Sequence, residues 1–95
     1  MEKQKCQSLA EIRQHLDEID RHMIELIALR QFYVDQVSHF KLDEAAVQAP
    51  ARVEQVIAAV REYAQQQGLD ADWVEQFYRH MIQHFIQREL KQIRP

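Results

Sequence analysis

The stretch Leu9–Lys41 reads LAEIRQHLDEIDRHMIELIALRQFYVDQVSHFK, and it decides the fold. Its apolar residues fall at Leu9, Ile12, Leu16, Ile19, Met23 and Leu26, then at Tyr33, Val37 and Phe40. Steps of three and four keep such residues on one side of an α-helix. No Gly or Pro interrupts the run, and one rung of the seam is a cation, Arg30. Just before it, Ser8-Leu9-Ala10-Glu11 has the form of a capping box, in which the serine oxygen and the glutamate each satisfy an orphan backbone N–H. The spacing predicts one helix over 8–40, on the order of 50 Å long.

Outward from that rod the punctuation is sparse. Leu42 to Ala49 lacks helical amphipathicity, so 41–49 reads as a loop, and Pro50 suits the first turn of a second helix. That helix, over 50–67, shows Val53, Val56, Ile57, Val60 and Tyr63 as its buried side. Gly68 is placed as a left-handed C-cap. Asp70 then caps a third helix over 70–93, with Leu69 and Val74 spaced as a hydrophobic staple. Its stripe is Val74, Phe77, Tyr78, Met81, Ile82, Phe85, Ile86 and Ile93, interrupted by Glu89.

The chain of 95 residues contains one Gly, two Pro and no Asn, and hairpins and sandwiches draw on those residues for their turns. The reading is therefore all-α, a three-helix chain with a long first helix, and one domain over 1–95. Helices of about 17 and 23 residues reach roughly 25 and 35 Å, so the far half of the rod needs another partner. A second copy of the rod is the simplest candidate, and so small a core favours self-association.

A net charge of −3 argues against binding the phosphate backbone of nucleic acid. No apolar run has the length of a membrane span or the form of a signal peptide. Cys6 is the single cysteine, so no internal disulfide is possible. A reducing cytoplasm is the expected setting.

Arg30 is the sharpest candidate site residue, because a guanidinium on an apolar seam is costly unless it meets an anion or several acceptors. It could equally pair with Asp35 or Glu89, or snorkel from the seam edge. Lys41 lies three helical turns on, about 16 Å along the axis, so both cations project from one face and could converge on a small dianion. Arg13 is about 25 Å before Arg30 on the rod, too far to join the same ligand within one chain, though an antiparallel partner could bring it in. Alone, Arg13 reads as a surface residue paired with Asp17, and Arg52 as a solvated charge. Glu89 could point outward to Arg88 or Lys91. In an apolar wall, burial would instead favour its neutral, hydrogen-bond-donating form, and a nearby cation would oppose that. His80 and His84 form an i, i+4 pair able to meet a metal. No third ligand completes that site, so no metal is expected. Cys6 has no His placed near it in a nucleophile motif, and there is no phosphate loop or serine elbow.

This arrangement resembles the all-helical chorismate mutases, which are intertwined homodimers of three-helix chains with a long first helix. The resemblance covers roughly residues 8 to 92. It is carried by Ile12-Arg13 with Asp17 and Asp20, Leu29-Arg30, Phe40-Lys41, Arg52-Val53, Gly68-Leu69-Asp70-Ala71 and Glu89. Within that family the segment from Phe40 to Val53 is most similar to the isochorismate pyruvate-lyases of salicylate synthesis for siderophores.

The resemblance implies a site for a dicarboxylate, isochorismate or chorismate, built from Arg30, Lys41, Arg52 and Glu89 of one chain with Arg13 of the other. Arg13 and Arg30 would bind the two carboxylates, Lys41 would reach the ether oxygen, and Arg52 would help close the loop over the ligand. Two positions depart from the mutase pattern. Where mutases hold the ring hydroxyl with acidic residues, this chain reads Pro50-Ala51-Arg52-Val53, leaving only Glu54 to replace them; that fits the lyase branch. Glu89 stands where both branches commonly place Gln, and only a protonated Glu89 can donate to the ether oxygen. The implied reactions are pericyclic and need no cofactor. The leading expectation is isochorismate pyruvate-lyase with weak chorismate mutase activity. Chorismate mutase as the main activity is the alternative, followed by a non-catalytic helical dimer whose seam charges fix register.

Overall fold

A computed structural model describes residues 2–40, 46 and 48–93, with the backbone alone at 38 and 93. Its elements are α1 (Leu9–Val37), a short 3₁₀ turn (Ser38–Phe40), α2 (Pro50–Gln66) and α3 (Ala71–Ile93). The described residues form no strand, as the scarcity of turn residues required. By compactness the chain divides into two units, Met1–Tyr33 and Val34–Pro95, each described by itself.

The first unit is the N-terminal segment and most of α1. The predicted capping box forms: Ser8 Oγ accepts the Glu11 N–H at 3.1 Å, and Glu11 Oε2 reaches back to the Gln7 N–H at 3.0 Å. The reach is one residue beyond the serine. No residue of α1 is fully buried, and Leu9, Ile12, Leu16, Ile19, Met23 and Leu26 all stand exposed, Leu26 at 63%. Fully burying a side chain of this kind is worth about 1.5–3 kcal/mol. Together these side chains make a continuous exposed apolar seam along α1.

The second unit is built on α2 and α3. Pro50 takes the first helical position of α2, behind Ala49 in the left-handed region at φ 37°. The reversal into α3 is a Schellman turn: Leu69 N–H reaches Ala64 O at 2.8 Å and Gly68 N–H reaches Gln65 O at 3.2 Å. Gly68 has φ +76°, a conformation that costs side-chain-bearing residues about 1–2 kcal/mol. Asp70 Oδ1 then accepts the N–H groups of Asp72 and Trp73 at 2.9 and 3.3 Å, capping α3. The helices close on two apolar clusters. Ile86 and Leu90 pack with Val53 and Ile82, while Ala64, Ala71 and Val74 pack with Val60 and Tyr78.

The observed packing corrects the sequence reading at several points. Tyr63 is 63% exposed and its neighbour Ala64 takes the buried place, because the two helices meet closely enough beside their turn to favour a small residue. Leu90, outside the expected stripe, is 4% exposed. The α-helical geometry of α1 stops at Val37, and the last turn tightens. Phe40 is 84% exposed, so packing gives no reason to extend the α-form. Of the loop read over 41–49, Ala46 and Gln48 are helical. Alanine and glutamine favour helix without needing an apolar face. The remainder of that loop, apart from Ala49, lies outside the described residues. Among the described residues no helix is long and apolar enough to cross a membrane.

Candidate active site

Arg13 and Arg30 belong to the first unit, both on α1 and about 25 Å apart along it. Arg13 is exposed and Arg30 half-buried. The pair expected between Arg13 and Asp17 does not form. Arg52 and Glu89 belong to the second unit. Val53 packs against Ile86 and Leu90, so its neighbour Arg52 and the adjacent Glu89 lie at the same end of the α2–α3 pair. Lys41 lies outside the described residues.

Glu89 is 3% exposed, the one buried charged side chain among the described residues. It sits on α3 between Phe85, Ile86 and Leu90, all buried. That placement removes the reading in which it points outward to Arg88. Arg88 turns instead to Asp35, donating from Nε to Oδ1 at 3.1 Å and from Nη2 to Oδ2 at 3.0 Å. These hydrogen bonds hold the Asp35 carboxyl below the usual carboxylate range and fasten the end of α1 to α3 one residue before Glu89. Asp35 is thereby engaged through both carboxylate oxygens.

Arg52 is exposed, and its Nη1 donates to Gln55 Oε1 at 2.6 Å. This is an ordinary contact within one helical turn, leaving the side chain on the surface at the start of α2. Glu54 has a different fate. Arg79 donates from Nη1 and Nη2 to its two carboxylate oxygens, each at 3.0 Å. Arg79 Nε also donates to Glu75 Oε2 at 2.7 Å, and Glu75 Oε1 accepts from Arg61 at 2.8 Å. Arg61 further meets Asp72 at 2.9 Å and the Ala71 carbonyl at 3.3 Å. The hydrogen bonds from Arg79 hold the carboxyls of Glu54 and Glu75 below their ordinary range, and the two carboxylates raise Arg79 in turn. This network crosses from α2 to α3, and sequence reasoning missed it. Arg79 follows Glu75 by one helical turn, a visible signal, but nothing local pairs it with Glu54.

His80 and His84 are both exposed. Cys6 belongs to no nucleophile motif in the sequence, yet its thiol comes within 4.8 Å of a His15 ring nitrogen and a Glu11 carboxylate oxygen.

Residues 12–90 match the family model of chorismate mutase type II. The chain belongs to that family. It is also 36% identical over 86 residues, 90% of this chain and 85% of the other, to a protein of Pseudomonas aeruginosa named isochorismate pyruvate lyase. As a type II chorismate mutase family member it is an enzyme, which sets aside the reading as a non-catalytic helical module. The exposed seam of α1, the burial of Glu89 and the ion pairs that anchor α3 are the features this family member offers toward a site.

Proposed function

We propose that the protein is an isochorismate pyruvate-lyase, converting isochorismate to salicylate and pyruvate. The observation that carries the reading is the identity of 36% to a protein of that name across nine-tenths of the chain. The state of Glu54 supports it: both carboxylate oxygens are engaged by Arg79, so this residue does not replace the acidic contacts with which mutases hold the chorismate ring hydroxyl. Chorismate mutase remains the second reading, as a weak side activity or the main one, favoured by the family match.

The reaction is a concerted elimination. The ether C–O bond breaks, a ring hydrogen passes to the methylene carbon of the enolpyruvyl group, and the ring becomes aromatic. No nucleophile takes part. The protein's task is to hold a compact reactive conformer and to set positive charge and hydrogen-bond donors against the oxygen on which charge grows. In this account Arg30 of one chain and Arg13 of its partner bind the two carboxylates, and Lys41 serves the ether oxygen. Glu89 serves the same oxygen as a hydrogen-bond donor, and Arg52 closes the segment before α2 over the ligand.

The shared site requires a homodimer, and the exposed apolar seam of α1 supports one. It offers a continuous face for a second copy, and an antiparallel partner bridges the distance of about 25 Å between Arg13 and Arg30. Salicylate as product would fit a siderophore route in the cytoplasm.

The test supplies isochorismate and chorismate separately to the purified protein. Salicylate and pyruvate released in equal amounts from isochorismate support the lyase; turnover of chorismate alone defeats it.

A further inference from the structure

We propose that Cys6, Glu11 and His15 form a binding site for a divalent transition-metal ion of the zinc class. One ligand atom from each lies within 4.8 Å of the other two. Neighbouring sulfur and nitrogen ligands around a tetrahedral zinc are about 3.6 Å apart, so side-chain rotations moving these atoms by about 1 Å complete the geometry. All three residues are half-buried, which limits the competing water without closing the site.

Local structure makes the cluster. Glu11 and His15 are one turn apart on the same face of α1. The chain before the helix is held by the cap: Gln7 N–H donates to Glu11 Oε2, and Ser8 Oγ accepts the Glu11 N–H. These bonds bring Cys6 beside the helix, where its thiol donates weakly to the Gln4 carbonyl at 3.8 Å. Glu11 keeps its second oxygen for the metal, and the Gln7 N–H orients the carboxylate as outer partners do in metal sites. Gln4 and Lys5 line the groove beside the cluster, and water can fill a fourth position.

The donor set selects the ion. Thiolate with imidazole suits zinc and related ions, whereas magnesium and calcium demand oxygen alone. Binding releases the Cys6 thiol proton to solvent as the sulfur–metal bond forms. The bound ion ties the segment before α1 to the helix. This site is independent of the lyase reading, since its ligands lie outside the residues assigned to substrate.

Cobalt(II) is the probe, added to untagged protein. The chain has a single cysteine, so any thiolate-to-cobalt charge-transfer band reports Cys6 directly. One cobalt per chain with that band, displaced by zinc, is the expected result. His15→Gln and Glu11→Gln should each weaken binding at least about tenfold, while the double variant His80→Gln with His84→Gln leaves it unchanged. Circular dichroism confirms that each variant keeps its helices. Absence of the band, or binding unaffected by His15→Gln, overturns the site.

Discussion

Arg79 holds Glu54 by two parallel hydrogen bonds of 3.0 Å each, across the packing of α2 on α3. In the proposed reading Glu54 therefore serves the fold and not the substrate. Glu54→Gln should leave kcat/KM for isochorismate within about twofold of the parent and lower the melting temperature. A carboxylate that held the reacting molecule would cost on the order of a hundredfold when neutralised. Steady-state kinetics beside a thermal melt separates the two.

Gly68 offers a stability test with no packing component. A Cβ built there meets nothing within 4 Å, and the backbone sits at φ +76°. Gly68→Ala should destabilise by about 1–2 kcal/mol, from backbone conformation alone, with kcat unchanged. Urea unfolding measures it, and an unaltered midpoint would contradict the Schellman assignment.

Asp35, Glu54 and Glu75 all titrate below their ordinary values because arginines donate hydrogen bonds to them. Their contribution to stability is present above the carboxylate range of the unfolded chain, about pH 4. It is lost as the pH falls through their depressed values. Arg88→Met releases Asp35 and should lower stability at neutral pH more than at strongly acid pH. Denaturant melts across that range check this; an equal loss at every pH would oppose it.

In the proposed site Glu89 faces the ether oxygen as a hydrogen-bond donor. Glu89→Gln keeps an N–H donor there and should retain activity, whereas Glu89→Ala should lose about a hundredfold. Equal steady-state rates for the parent and Glu89→Ala would count against Glu89 as the donor.

The proposed site takes Arg13 from one chain and Lys41 from the other. Arg13→Ala and Lys41→Ala should each lose about a hundredfold in activity. Unfolding and refolding them as an equal mixture should restore about a quarter of the parent rate, because half the dimers are mixed and each mixed dimer keeps one intact site. No recovery would oppose the shared site.

Much of the fold was legible because its punctuation is local. Ser8, Pro50, Gly68 and Asp70 act through their own backbone or the next turn, and their places in the structure follow from spacing. The network from Arg61 through Glu75 and Arg79 to Glu54 was not legible, because which charges face one another depends on how two helices lie together. Cys6 beside His15 escaped for a similar reason: a chain that folds back before a helix leaves no periodic trace. At the candidate site, the anomalous charge at Glu89 was visible as a break in an apolar stripe. Its burial required the packing of α3, and the turn of Arg88 toward Asp35 required the end of α1.

Isochorismate carrying deuterium on the ring carbon that gives up its hydrogen tests the central claim most directly. The account predicts salicylate and pyruvate in equal amounts, with the deuterium in the pyruvate methyl group. Pyruvate free of the label, or no turnover of isochorismate by protein that converts chorismate to prephenate, would contradict it.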